Sequence, residues 1–293
     1  MAGPPERFRR EEDAARTFGY TLLDVFAERP LEGNQLAVFA DAGPIEAPTM
    51  QALARELRLS ESVFVFAPEG EGDARVRIFT PATELPFAGH PVLGSGALLA
   101  RTLGRRSVVL ETGAGPVAVE LGPGPASAAM TQPIPAWEPV AEPGGLLSAL
   151  GLTSSGLPVE RYTNGPAHLY FDGGSAERVA ALDPDLRALE AFAGAASVSC
   201  FAGGAGRFKT RVFAPGLGVP EDPATGSAAG PLAVYLVRHG RASHGERLEI
   251  HQGAELERPS LLLARTEGEG ERFTRVEVGG DVLTVGRGEL RAG

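Results

Sequence analysis

The chain has 293 residues, 43% hydrophobic and 22% charged, the balance of a folded globular protein long enough for two domains. A net charge of −10 and a pI of about 5.1 leave no basic stripe for a nucleic acid, and no apolar run approaches the roughly 20 residues of a membrane span. One cysteine, Cys200, precludes an internal disulfide, and the polar start Met-Ala-Gly-Pro-Pro-Glu-Arg-Phe-Arg-Arg predicts no secretory signal, so a cytoplasmic protein is expected.

Residues 1–16 read as a loose tail. Strand-like segments then run over 20–26 and 35–40. A helix over 48–57 follows from Met50, Leu53, Ala54 and Leu57 on one face. Strands over 61–66 and 75–80 lead to a second helix that opens at Gly89 and ends at Gly104. Strands over 107–111 and 116–121 form a hairpin around Thr112-Gly113-Ala114-Gly115. The Pro-, Gly- and Ala-rich stretch 122–145 reads as the crossing between domains. Beyond it come a strand near 168–171, helices near 176–182 and 185–192, and strands over 197–202 and 208–214. An apolar helix over 223–237 follows, then strands near 248–251, 260–264, 273–278 and 282–286, with Gly279-Gly280-Asp281 as a hairpin turn. This gives a first lobe over 17–125, open to completion by strands at about 276–290, and a second over 140–275.

The two apolar helices share a start. Gly89-His90-Pro91-Val92-Leu93-Gly94-Ser95 and Glu221-Asp222-Pro223-Ala224-Thr225-Gly226-Ser227 both read polar-Pro-x-x-Gly-Ser, at an offset of 132 that lays His90 on Asp222. Arg77-Ile78-Phe79-Thr80-Pro81 precedes one and Arg211-Val212-Phe213-Ala214-Pro215 the other. Such self-similarity predicts two related halves. Asp222 reads as an N-cap with Pro223 at the first helical position. A helix start also offers free N–H groups and a positive dipole end. Two such starts aimed at one point predict a cleft for a carboxylate, with Gly226 and Ser227 supplying N–H groups and Gly89 allowing close approach. A helix that is apolar nearly all round needs a sheet curled about it. The fold class expected is α+β, two similar lobes, each a β-barrel-like sheet around a central helix.

None of His90, His168, His239, His244 and His251 sits at a zinc spacing, and no glycine-rich nucleotide loop is present. The single lysine, Lys209, lies in a strand-like stretch, which disfavours a Schiff-base cofactor. The expectation is chemistry by side chains alone, with neither cofactor nor metal. His168, His239, His244 and His251 read as structural or exposed, and Glu84 as structural.

Asp24-Val25-Phe26, Gly33-Asn34-x-Leu36-Ala37-Val38, Leu59-Ser60-Glu61-Ser62-x-Phe64-Val65, Phe79-Thr80-Pro81, Glu84-x-Pro86-Phe87-x-Gly89-His90 and Glu221 through Ala228 occur in this order. The series resembles the PhzF-like phenazine-biosynthesis isomerase family over about 18–285. The resemblance implies the two-lobed fold of diaminopimelate epimerase. It also implies cofactor-independent movement of a proton on a small carboxylate such as a dihydro-3-hydroxyanthranilate. It assigns Glu61 as the acid/base residue, with His90, Asp222 and Ser227 lining the same site. Asn34 is either a turn residue or part of it. The epimerase relatives place one cysteine at each helix start; His90 and Asp222 stand at those positions here. Gln35, Val63 and Ala88 differ from the family's usual residues, and the resemblance places them at the pocket wall. A racemase or epimerase, or a binding protein that has lost turnover, are the alternative functions, and a homodimer is compatible with the family.

Overall fold

The structure, a computed structural model, describes residues 16–40 and 43–292. The expected tail therefore lies outside the described residues, except Arg16, which opens the first strand.

Strands β1 (Arg16–Val25) and β2 (Asn34–Phe39) pair antiparallel, and α1 (Ala47–Leu57) crosses over to β3 (Glu61–Phe66), parallel to β2. β4 (Ala74–Phe79) returns along β3, turns through β5 (Glu84–Leu85) and enters α2 (Gly89–Thr102). β6 (Ser107–Thr112) lies parallel to β4, and β7 (Gly115–Leu121) and β8 (Ser127–Gln132) continue antiparallel. The second half opens with β9 (Ala136–Pro139), α3 (Gly144–Ala149), β10 (Glu160–Thr163) and β11 (Ala167–Asp172). Helices α4 (Ala176–Ala180) and α5 (Leu186–Ala193) cross over to β12 (Ser197–Gly204), parallel to β11. β13 (Arg207–Ala214), β14 (Val219–Asp222) and α6 (Gly226–Arg238) repeat the plan of β4, β5 and α2. β15 (Leu248–Gln252), parallel to β13, is followed by β16 (Ser260–Glu269) and the long β17 (Arg272–Ala292).

The ladders close a barrel in the first half: β1, β2, β3, β4, β6, β7, β8, β17 and back to β1. In the second half the series β9, β10, β11, β12, β13, β15, β16, β17 makes a matching shell, with Trp137 of β9 edge-on to Phe273 of β17. Each shell is filled by its helix. Val92, Leu93, Ala97 and Ala100 of α2 are fully buried, as are Leu232 through Leu236 of α6. Full burial of a Val or Leu side chain contributes roughly 1.5–3 kcal/mol, so these two helices anchor the core. The α+β, two-lobed fold is the one the sequence predicts.

Four local expectations are corrected. Gly279-Gly280-Asp281 is no turn: β17 runs through it, pairing Gly279 with Ala129 and Gly280 with Ala128. Its N-terminal part belongs to the second shell and its C-terminal part pairs with β1. The stretch 122–145 is no bare crossing, because it holds β8 and β9. The helix predicted over 223–237 begins at Gly226, with Thr225 at its N-cap. Asp222 ends β14, so neither it nor Pro223 caps that helix; its carboxylate is engaged across the molecule instead. Finally, the helix starts Gly89 and Gly226 differ by 137 positions, not 132, and Gly94-Ser95 lies inside α2.

That register aligns a repeated device. Arg77 donates from Nε and Nη2 to the two oxygens of Glu84 at 2.7 and 2.6 Å, and its guanidinium sits over Phe79. Arg211 does the same with Glu221 at 2.8 Å for both bonds, over Phe213. Each fork fixes the strand turn that leads into a central helix. Counting from Glu84 and Glu221, Leu85 stands opposite Asp222, Gly89 opposite Gly226 and His90 opposite Ser227. The two half-sites are thus chemically unlike.

Candidate active site

The central helices meet start to start. A Cβ on Gly89 would fall 2.1 Å from the backbone N of Ser227 and 2.3 Å from the carbonyl carbon of Gly226. Only glycine permits this approach. Around the junction lie Asn34 and Glu61, which open β2 and β3, His90 in the first turn of α2, and Asp222 at the end of β14. The structure thus brings together every residue proposed from the sequence.

Asn34 is 1% exposed and ties the halves together. Its Nδ2 donates to Asp222 Oδ1 at 2.8 Å and to the Ala224 carbonyl at 2.9 Å, and lies 3.2 Å from His90 Nδ1. Asp222 also accepts from Ser60 Oγ at 2.9 Å and from Thr225 Oγ1 at 2.6 Å. Gln252 braces the turn, donating to the Asp222 carbonyl at 2.7 Å and to Thr225 Oγ1 at 3.0 Å. Glu61 is differently placed. Its Oε2 lies 3.5 Å from His90 Nδ1 and is buried without a hydrogen-bond partner.

The helix start of α6 has its own support. Pro231 sits inside α6 and has no N–H, which leaves the Ser227 carbonyl four residues earlier without its helical donor. Asn164 Nδ2 fills the vacancy at 2.9 Å, and Gln132 Nε2 donates to the Gly226 carbonyl at 2.8 Å. Ser60, Asn164, Gln132 and Gln252 were not singled out in the sequence. Their only signal is a polar type in an otherwise apolar or turn-rich stretch.

Burial sets the protonation states. Glu61 is pushed well above the usual carboxylate range, by burial first and by the charge of Asp222 second. Asp222 is raised by burial, while the donors Thr225, Ser60 and Asn34 pull it down. Asp222 holds these donors and Glu61 Oε2 has none, so of the two carboxyls Asp222 is the better placed to carry the charge and Glu61 to carry the proton. Burial lowers His90 to about 3, against a backbone hydrogen bond at Gln35, so its ring is neutral.

A stability consequence follows. A folded carboxyl pKa above the unfolded one means the native state binds the extra proton between the two values. Stability from this source is full below the unfolded pKa and is lost as pH rises through the folded one. Glu61→Gln removes the titration. Its Tm relative to wild type is expected to be higher at about pH 8 than at about pH 5. The same difference in thermal melts at both pH values would show that burial does not hold the proton on Glu61.

Glu61, Asp222, Thr225 and Ser227 line one cavity of about 40 Å³, with Thr80, Phe87, Ala88, His168 and Ser197 among its other walls. Of the three positions expected at the pocket wall for their unusual residues, Ala88 is there, whereas Val63 is packed in the core and Gln35 is not among the residues lining the cavity. His168, read as structural from the sequence, is a wall residue. A larger hollow of about 600 Å³ beside Phe26, Arg247 and Arg265 contains none of Glu61, His90, Asp222 or the helix starts. Cys200 is buried in the separate core cluster of the second half, its thiol pushed up to about 12 by burial. His90 and Ser227 occupy the helix starts, so a two-thiol racemase mechanism has no residues to use. Among the described residues, no group of three or more His, Cys, Asp or Glu side chains is placed to hold a metal ion, and no helix is long and apolar enough to cross a membrane.

Residues 23–288 match the family of phenazine biosynthesis-like proteins, PhzC-PhzF. The chain belongs to this family. Among PhzC-PhzF relatives, the trans-2,3-dihydro-3-hydroxyanthranilate isomerase of Pseudomonas chlororaphis is 48% identical, over 92% of this chain and 98% of that protein. A structure described as a predicted epimerase from Pseudomonas aeruginosa is 38% identical with a TM-score of 0.81, covering 93% of this chain and 99% of that one. A hydroxyproline epimerase from Agrobacterium vitis shares the fold at 14% identity, with a TM-score of 0.64 over 94% of this chain and 93% of that one. This PhzC-PhzF protein is an isomerase.

Proposed function

We propose that this PhzC-PhzF protein moves a proton between two carbons of a small unsaturated carboxylate, with Glu61 as the shuttle and no cofactor. The observation that carries the reading is Glu61 Oε2, buried without a partner on a residue that lines the same cavity as Ala88 and Ser227 beside the two helix starts. The substrate carboxylate sits against the starts Gly89-His90 and Gly226-Ser227, where unused N–H groups and dipole ends favour an anion. The acid form of Glu61 gives its proton to one carbon of a conjugated system. The resulting carboxylate removes a proton from another carbon. One C–H bond forms, one breaks, and the composition of the substrate is unchanged. Neutral His90 and Asp222, joined through Asn34, orient the polar substituents and Glu61 itself. The full set Glu61, His90, Asp222 and Ser227 supports turnover over mere ligand binding, and its asymmetry supports a one-base shuttle over a two-base racemase. The lone cysteine supports a cytoplasmic setting, and the family resemblance allows a homodimer.

The relatives' substrate, trans-2,3-dihydro-3-hydroxyanthranilate, is the first compound to assay. Turnover is expected with enzyme dialysed against EDTA and no added nucleotide or pyridoxal, at a rate within about twofold of untreated enzyme. Inertness toward this compound, or activity that returns only with an added metal, would contradict the proposal.

A further inference from the structure

The cavity has a second polar wall that the proton shuttle does not use. His168 on β11 and Ser197 on β12 are direct partners in the parallel ladder, and both face the same cavity as Glu61 and Asp222. His168 is 1% exposed and Ser197 4%. His168 Nδ1 and Ser197 Oγ are 2.6 Å apart, whereas His168 Nε2 is buried with no partner at all. Burial of a polar nitrogen without a partner costs free energy that a core would avoid with an apolar residue. The neighbouring strand residues Leu169, Tyr170 and Phe171 show how readily this strand accepts apolar or satisfied side chains: Tyr170 is equally buried, yet its hydroxyl donates to the Ala228 carbonyl at 2.7 Å.

We propose that His168 is a selectivity residue whose Nε2 hydrogen-bonds a hydroxyl on the substrate, away from the substrate's carboxylate. The inference rests on the reading that the helix starts hold that carboxylate. Ser197 fixes one end of the ring, and its hydroxyl can serve either imidazole tautomer. Nε2 is then a fixed donor or a fixed acceptor, and a hydroxyl answers both, whereas a C–H answers neither. A site that buries such a group rejects the analogue lacking the hydroxyl, because its own nitrogen is left unpaired. The ring is neutral, burial having lowered it to about 3, so it recognises a neutral polar group rather than adding charge. Glu61 and Asp222, the ionisable carboxyls on the same cavity, lie on other strands, so the hydroxyl contact and the proton shuttle are separable.

Binding of benzoate and of its 2-, 3- and 4-hydroxy derivatives, followed by calorimetry, tests this. In the wild type one hydroxy isomer is expected to bind about 10-fold tighter than benzoate, the scale of one net hydrogen bond. His168→Asn keeps a polar atom near the Nδ1 position for Ser197 and deletes Nε2. It is expected to reduce the preference to within about twofold without changing the benzoate Kd. His168→Gln, whose amide reaches the Nε2 position, is expected to restore part of the preference. A preference that survives His168→Asn, or that is absent in the wild type, overturns the inference alone. So does a His168→Asn variant that weakens benzoate and the hydroxy isomer equally, since that marks a structural role. Failure of the wild type to bind any of the four carboxylates overturns the helix-start reading and the inference with it.

Discussion

Glu61→Gln is expected to lower turnover by about 100-fold or more while leaving substrate affinity within a few-fold, the usual scale for losing a positioned acid/base. The swap keeps the planar shape of the side chain and removes only the exchangeable proton. Glu61 Oε2 accepts no hydrogen bond, so the amide breaks none at that atom. The donors on Asp222 come from Asn34, Ser60 and Thr225 and are untouched. On the proposed reading the substrate carboxylate is held at the helix starts rather than by Glu61, so binding is expected to persist. Comparison of kcat with a directly measured Kd separates the two effects. Near-normal turnover in Glu61→Gln would move the shuttle to His90 and Asp222 and reduce Glu61 to a buried wall residue.

Gly89→Ala is expected to do damage of a different kind. The added methyl carbon meets backbone atoms at 2.1 and 2.3 Å, not a side chain that can swing away. Both helices are enclosed by their own shells, so neither can retreat without disturbing its core. Overpacking of a core costs about 1–3 kcal/mol, and a clash with backbone belongs at the upper end. The expected readouts are a Tm lower by about 5 °C or more and a fall in kcat/KM near 100-fold, because the two starts no longer converge on one anion. Gly144→Ala is the matched control, since a Cβ there meets nothing within 4 Å; its Tm and activity are expected to stay at wild-type values. A Gly89→Ala variant as stable and active as the control would mean that the abutting starts are not the site.

Much of this was visible in the sequence, for physical reasons that also explain what was not. Alternation in Arg75-Val76-Arg77-Ile78 marks a half-buried strand whatever its neighbours do, Leu36-Ala37-Val38-Phe39 is an apolar run buried on both faces, and the apolar helices demand enclosure. The Gly279-Gly280-Asp281 segment misled because such a run is a strong local turn signal. Here Gly280 answers a tertiary need: a Cβ on it would lie 2.6 Å from the Phe26 ring. β8 and β9 were hidden because Pro and Gly flank them closely, and pairing with β7 and β17 for one and with β10 for the other defines them. Asp222-Pro223 has the residue types of a helix start, yet long-range partners on β2 claim the carboxylate, which no local rule can see. Glu61 was legible through family resemblance. Its own context, an acid ahead of Val63-Phe64-Val65, suits an ordinary strand edge equally well. His168 carried one neglected signal, a polar residue inside a strand that is buried on both faces.

The most direct test uses the inactive variant as a trap. Glu61→Gln is expected to bind without turning over, so a crystal soaked with trans-2,3-dihydro-3-hydroxyanthranilate should hold the intact substrate. The account predicts its carboxylate between Gly89-His90 and Gly226-Ser227, within hydrogen-bond distance of their backbone N–H groups, and the amide of residue 61 facing the carbons between which the proton moves. A substrate whose carboxylate lies elsewhere, or whose reacting carbons are out of reach of residue 61, would contradict it.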